Sequence, residues 1–368
     1  MERRGRGDIA GAEALVQSVL AESPRLAEAW NDHGLLRLDR HDVDGARDAF
    51  LRAVELSPDF AQAHFNLSLV YLMRGDYERG FREYEWRTRA PGYADYANYP
   101  FGMPRWRGES LAGKRLLVHG EQGQGDVFQM IRFVPRIAAQ GGAVDVFCME
   151  PLVPILATVP GVGEAFAELA HRPTHDFHAP IFDLAAHFLT GKDPAPWHKP
   201  YIAALPGRAA FWATELAALP RPRVGLVWRG SAKFKADWNR SLDPAAAARL
   251  LVPGVSFVGL QVPQAPMTPP EDASFLDLSP RIRDWNDTAA IIENLDLVVS
   301  VDSAVAHLAG AMGRPVWTLI AHGPEWRWGL SGTTTRWYPS MRLFRQAVLG
   351  DWRPTLEEVR ANLAGLAA

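Results

Sequence analysis

Apolar residues in the second half of this chain fall in short runs, most of them followed by a helical period. Leu297, Val298, Val299 and Val301 form one such run, the pattern of a strand covered on both faces of a parallel sheet. Asp302 and Ser303 come next, residue types that open helices, and a helical period then runs to the Gly-Arg-Pro at 313–315. His307 stands in the first turn and a half of that helix. The same alternation predicts strands at 115–119, 143–149, 223–228, 256–261, 316–320 and 341–344. Helices are predicted from the turn at 120–126 through Ala139, and at 151–158, 206–219, 244–251, 285–294 and 355–366. Asn286 or Asp287 is the expected cap of the helix at 285–294. The stretch from 170 to 200 is rich in His and Pro and is placed only loosely, as loop.

Before residue 90 the period is purely helical and a 34-residue spacing organises it. Pro24 and Pro58 are one period apart. A unit beginning at Ala27 puts Trp30, Gly34, Ala46, Phe50, Ala53 and Pro58 where a tetratricopeptide repeat needs them. Adding a period gives His64, Ser68, Gly80, Tyr84 and Arg87. Subtracting one leaves Ala12, Val16, Val19 and Pro24, the second helix of a unit. Gly34 and Ala46 allow close helix approach, and Trp30 and Phe50 are expected to fill the seam. So short an array serves either as a docking surface for a protein or as a cap on the neighbouring domain.

Strands alternating with helices in two successive series predict two Rossmann-like halves of roughly 110–140 residues facing a cleft. The fold class expected is therefore α/β with an all-α N-terminal part. The boundaries expected are 1–90 for the repeats, 91–205 for the first half and 206–368 for the second. Composition agrees with a globular chain: 48% hydrophobic, 22% charged, formal net charge -3. That balance offers nothing to nucleic acid or an anionic membrane. A single cysteine, Cys148 in an apolar run, excludes a disulfide framework and a multi-cysteine zinc site. The basic start lacks a signal-peptide core, and no window approaches a membrane span of ~18 apolar residues. A cytoplasmic protein is the expectation.

In open α/β sheets ligands bind at the carboxyl ends of the strands, where helix N-termini present unpaired N–H groups. Three groups of residues fall on that edge. Gly123-Gln124-Gly125-Asp126 lies between the first strand and first helix. A dinucleotide fingerprint needs a third glycine where Phe128 stands, so nicotinamide and flavin enzymes are disfavoured. What is left is a glycine turn carrying Asp126, either a helix cap or a cleft carboxylate, and the helix dipole favours an acid there. Arg229, Lys233, Lys235 and Arg240 bring four cations to the edge after the strand at 223–228, either a phosphate site or a solvated loop. Gln261 either reads a base or sugar edge or braces the fold. Asp302, Ser303 and His307 form the third group. The sole Asp-x-Asp, Asp42-Val43-Asp44, falls between repeat helices, which argues against a metal-dependent sugar transferase, and no P-loop, HExxH or Gly-x-Ser-x-Gly is present.

Taken together, EYEWR, GEQGQGD, GLVWRGSAKFKADWNRS, VDSAVAHLAGAMGRPVW, PEWRW and WYPSMRLFRQ resemble bacterial tetratricopeptide-repeat proteins whose C-terminal region is similar to the heptosyltransferase family of glycosyltransferases. The resemblance implies a GT-B fold with no required metal or other cofactor, and a nucleotide-diphosphate sugar as co-substrate. It matches Asp126 to a general base, and Asp302, Ser303 and His307 to a donor-site motif. It matches Lys233 to a donor phosphate ligand. With Gly123, Gly125, Arg229, Arg240 and Gln261 these are the expected sugar-nucleotide contacts. The implied activity is inverting transfer to a protein or glycan acceptor that the repeats dock, since repeats joined to such a module also look like the protein O-GlcNAc transferases. The competing expectation is a repeat scaffold carrying a degenerate module. One departure matters: Ala304 stands where heptosyltransferases usually carry glycine, and its methyl limits close backbone approach, so sugar identity does not transfer.

Overall fold

A computed structural model describes residues 2–93, 98, 100–170, 174–190, 199–232, 234, 237–323 and 325–367. The chain divides into two compact units, one of residues 1–100 with 188–195 and 323–332, the other of 101–187, 196–322 and 333–368.

In the first unit, a one-turn helix (Glu2–Gly5) precedes a succession of longer ones: α1 (Ile9–Glu22), α2 (Ala27–Asp39), α3 (Val43–Leu56), α4 (Ala61–Met73) and α5 (Tyr77–Tyr84). The 34-residue period is written into their caps. Asp8, Asp42 and Asp76 each accept a hydrogen bond from the backbone N–H three residues on, at 2.9, 2.9 and 3.1 Å, starting α1, α3 and α5. Just before each, Gly7, His41 and Gly75 turn the chain through left-handed φ values of 82°, 59° and 76°. The side chains one period apart also match: Trp30 Nε1 donates to Pro24 O at 2.9 Å, and His64 Nε2 meets Pro58 O at 2.9 Å. Trp30 is thereby only half-buried, so it braces the turn at Pro24 and leaves the seam to others. A Cβ on Gly34 would sit 2.4 Å from the Phe50 ring, and Ala46, Phe50 and Ala53 are fully buried. Helix α1 is the second helix expected, with the one-turn helix Glu2–Gly5 before it and Ala12 and Val16 packed on Leu36.

His41 is the one residue of its periodic set with a Cβ, and a left-handed backbone costs such a residue roughly 1 kcal/mol. His41→Gly is therefore expected to stabilise the first unit by about 0.5–1 kcal/mol, read as a higher midpoint in denaturant melts. An unchanged or lowered midpoint contradicts this.

In the second unit, two all-parallel sheets carry the α/β pattern. The first has β1 (Arg115–His119), β2 (Ala143–Phe147), β3 (Val162–Phe166) and β4 (Phe177–Pro180) in the order β3-β2-β1-β4. Val118 pairs across with Val146 on one side and Ala179 on the other. Helices α6 (Gln124–Met130) and α7 (Val134–Ala138) come after β1. The second sheet has β5 (Arg223–Val227), β6 (Ser256–Gly259), β7 (Ser274–Asp277), β8 (Leu297–Val301), β9 (Val316–Ile320) and β10 (Met341–Arg345), ordered β10-β9-β8-β5-β6-β7. Its helices include α8 (Pro206–Glu215), α9 (Trp285–Glu293), α10 (Ala304–Ala311) and α11 (Arg353–Ala364). Val224, Leu226, Phe257, Val299 and Leu319 fill one face of this sheet. Strands β6 and β7 run to one side of β5 while β8, β9 and β10 return to the other. The order therefore reverses between β5 and β8, and a crevice opens there at the carboxyl ends.

Several sequence expectations shift. The helix expected through Ala139 breaks after Met130 into a 3₁₀ turn (Ile131–Phe133) and then α7, because Pro135 has no N–H to give and its ring clashes one turn back. The helix at 151–158 shrinks to Glu150–Leu152 and Val153–Leu156, each with a proline near its start. The cap of α9 is Asp284, whose carboxylate accepts from Asp287 N at 2.9 Å. Asp287 itself is fully buried, taking Arg208, Arg283 and the Trp212 indole. Strands β3, β4 and β7 are short and partly polar, with too little alternation to read. Cys148 is buried, and burial pushes its thiol up to about 12.

Candidate functional site

The turn after β8 is built by strand, hydroxyl and helix together. Ser303 stands as N-cap of α10 but turns its Oγ to Ser300 Oγ at 2.9 Å and makes no capping bond to the helix. The first N–H groups of α10 therefore receive nothing from the Ser303 hydroxyl, and a helix N-terminus of this kind favours an anion. Asp302 projects from the same turn, half-exposed, with Oδ1 3.9 Å from His307 Nε2. His307 is buried, and its Nδ1 lies 2.9 Å from the Tyr338 hydroxyl. A Cβ on Gly310 would meet the Tyr338 ring at 2.6 Å, so the missing side chain at Gly310 lets that ring lie on α10 and reach His307.

Opposite β8 at the switch point, the loop after β5 begins at Trp228. Gln261 Oε1 accepts from Trp228 N and Arg229 N at 3.2 and 2.9 Å, and its Nε2 donates to Arg229 O at 3.3 Å. Its amide thus braces this loop. Arg240 is similarly engaged: Nε donates to Asp237 Oδ1 at 2.9 Å, one terminal nitrogen donates to Asp302 O at 3.0 Å, and the guanidinium lies 4.5 Å from the Phe234 ring centre. Arg240 thus ties the β5 loop to the β8 turn, and that fixes the crevice between them. Arg229 is exposed and lines a recess of about 440 Å³ with Phe234, Asp237, Trp238 and Ser241. Lys233 and Lys235, two of the four expected cations, lie outside the described residues.

The glycine turn after β1 completes the arrangement. Asp126 Oδ2 accepts from Gly123 N at 2.7 Å, which closes the first turn of α6. A Cβ on Gly125 would lie 2.8 Å from His307 Cδ2 and 3.3 Å from Ala304 Cα. The absence of a side chain at Gly125 is thus what allows α6 to lie against α10. Close backbone approach at Ala304 is used for this helix contact, with the glycine on the other partner. Trp285 Nε1 donates to Gln124 Oε1 at 3.1 Å and packs edge-on to Phe128, fixing α6 against α9 as well. Gly125 thus brings the helix that carries Asp126 against the helix that carries His307.

Three contributors were not singled out from sequence. Asp237, in the basic loop, is buried and holds Arg240 and the Ser241 hydroxyl, at 2.8 Å for the latter. Tyr338 contacts His307. Arg132, fully buried, reaches Tyr201 and Trp337. Asp237 had a signal, a carboxylate among four cations. Arg132 had none, because a buried arginine reads like a surface one.

Residues 31–94 match the tetratricopeptide repeat family, and residues 271–340 match glycosyltransferase family 9 (heptosyltransferase). The chain is thus a short repeat array followed by two parallel-sheet α/β halves, the second holding the segment that is similar to family 9. That segment takes in Asp302, Ser303 and His307 and leaves Asp126, Arg229 and Lys233 outside it. Protein FlbA of Caulobacter vibrioides is 28% identical over 398 aligned positions, which cover 98% of this chain. The chain spans 65% of the length of that curated relative. Among solved structures, the glycosyl transferase family 9 protein from Veillonella parvula is 13% identical over 65% of this chain and 87% of its own, at a TM-score of 0.45. ADP-heptose lps heptosyltransferase II of E. coli is 16% identical over 69% of this chain and 100% of its own, at 0.47. No helix among the described residues is long and apolar enough to cross a membrane.

Proposed function

We propose that this chain is a metal-independent, inverting glycosyltransferase that moves a sugar from a nucleotide-diphosphate donor to a protein or glycan hydroxyl. The observation that carries this reading is the packing of Gly125 on Ala304 and His307, which brings the Asp126 turn beside the Asp302–His307 turn. In the reaction, Asp126 takes the acceptor's hydroxyl proton and the freed oxygen attacks the anomeric carbon. The bond from that carbon to the diphosphate breaks, its electron pair leaving on the diphosphate. The N-terminus of α10 and Arg229 stabilise that departing charge, with Lys233 as a further phosphate ligand. Asp302 repels phosphate and serves the sugar hydroxyls or His307 instead. Residues 91–205 would form the acceptor side, 206–368 the nucleotide side, and the repeats of 1–90 the dock for the acceptor.

A second reading, a non-catalytic repeat scaffold, draws support from Arg240 and Gln261, whose polar groups are already engaged within the protein. Thermal-shift measurements over UDP-, GDP-, ADP- and CMP-sugars separate the two. Stabilisation by one donor and a sugar-bearing product in mass spectrometry is the expected result. No shift with any donor or free diphosphate turns the conclusion to the scaffold.

A further inference from the structure

Behind His307 runs a buried polar chain that the proposed sugar transfer does not use. Arg132, fully buried between α6 and α7, donates to Gln129 O at 2.6 Å, Trp337 O at 2.7 Å and the Tyr201 hydroxyl at 2.9 Å. Its guanidinium lies 5.0, 5.3 and 4.7 Å from the ring centres of Tyr201, Trp337 and Tyr338, and it also hydrogen-bonds the Tyr338 hydroxyl. Tyr201 gives its own proton to Phe128 O at 2.9 Å. Burial pushes both phenols up, so Tyr338 keeps its proton and has one donor to place.

Two acceptors stand within its reach, the Tyr201 oxygen and His307 Nδ1. An imidazole nitrogen is the better acceptor, and the Tyr201 oxygen already receives a bond from Arg132. The far side of the ring decides in the same direction: Nε2 faces the Asp302 carboxylate, which attracts an N–H and repels a lone pair. A second proton, which would make the ring positive, is opposed by Arg132 across the same hydroxyl. Among the described residues, the other charged groups on the helices packed against α10 are Asp126 of α6, Asp287 and Glu293 of α9, and Asp284 at the cap of α9. Asp287 is neutralised by Arg208 and Arg283, and Glu293 pairs with Arg314.

We propose that Arg132 and Tyr338 are positioning residues that hold His307 with its proton on Nε2, pointing a hydrogen-bond donor at Asp302 and the crevice. His307 is then a donor toward the bound sugar nucleotide and not a base, a role that rests on the glycosyltransferase reading, whereas the tautomer does not. The tautomer is read on the full chain with ¹⁵N-labelled histidine by two-bond ¹H–¹⁵N correlation, the His307 signal being the one lost in His307→Gln. The expected signal is an Nε2–H ring with a lone pair on Nδ1 near neutral pH. In Tyr338→Phe, which keeps the ring on Gly310, it becomes a tautomer mixture or a titrating ring. An Nδ1–H or doubly protonated ring in the unaltered protein overturns the proposal, as does an unchanged spectrum in Tyr338→Phe. If a donor binds, Tyr338→Phe is expected to weaken it about tenfold. If none binds, the sugar-nucleotide reading has failed and the spectrum still decides this inference.

Discussion

Replacing Asp126 with asparagine is expected to lower kcat for sugar transfer by about 10²–10⁴-fold, the range for loss of a general base, while the melting temperature barely moves. The contrast comes from the two roles this carboxylate combines. As a cap it accepts from Gly123 N at 2.7 Å, and an asparagine carbonyl oxygen accepts the same bond. As a base it takes a proton, which an amide does not do at neutral pH. Stability and turnover therefore separate in this variant, and Asp126→Ala should lose both, with about 1 kcal/mol of cap stability gone. Steady-state kinetics with the donor found in the thermal-shift screen supply the measurement. Full activity in Asp126→Asn would reduce Asp126 to a cap and end the mechanism proposed for it.

Gly125→Val should damage both stability and turnover. Even a methyl there would come within 2.8 Å of His307 Cδ2, and His307 has little room to retreat, being buried and held by Tyr338. Its other neighbour, Ala304 Cα at 3.3 Å, is backbone and moves only with α10. A branched side chain forces α6 from α10, at about 1–3 kcal/mol for overpacking. The separation also displaces Asp126 from the Asp302–His307 turn, and misplacement of about 1 Å at a reacting group costs roughly 10²-fold in rate. Gly125→Ala is the graded control: helix propensity gains up to about 1 kcal/mol, so a smaller net loss is expected. Thermal melts and kinetics on both variants check the order, and a Gly125→Val protein as stable and active as the unaltered chain would show that the contact is not needed.

How much of the site could be read in advance differs from residue to residue. The Asp302–Ser303 turn was legible because an apolar, β-rich run leading into residue types that open helices predicts a strand and then a helix. The short edge strands were not, since their pairing is decided by the strand beside them. Asp126 was recognised as an acid at a helix start, yet local sequence left cap and cleft carboxylate unseparated. For Arg240 and Gln261 the letters showed a place at a strand edge and no partners, since arginine and glutamine there look alike whether they meet a phosphate or their own backbone. The capping period through Asp8, Asp42 and Asp76 was present in the letters but masked by the stronger Pro24–Pro58 signal.

By itself the sequence determined much of what depends on local periodicity: the 34-residue helical repeat, most strands and helices of the two series, and the helix opening at Asp302–Ser303. These stem from side-chain spacing and capping chemistry, which act over a few residues. Tertiary structure alone decided which groups meet. That Gly125 serves helix contact, that Arg240 joins the β5 loop to the β8 turn, and that a buried Arg132 reaches His307 through Tyr338 all depend on residues tens to hundreds of positions apart. Only the crossing of the chain at the β5–β8 switch point, and the packing of α6 on α10, puts them within hydrogen-bonding distance.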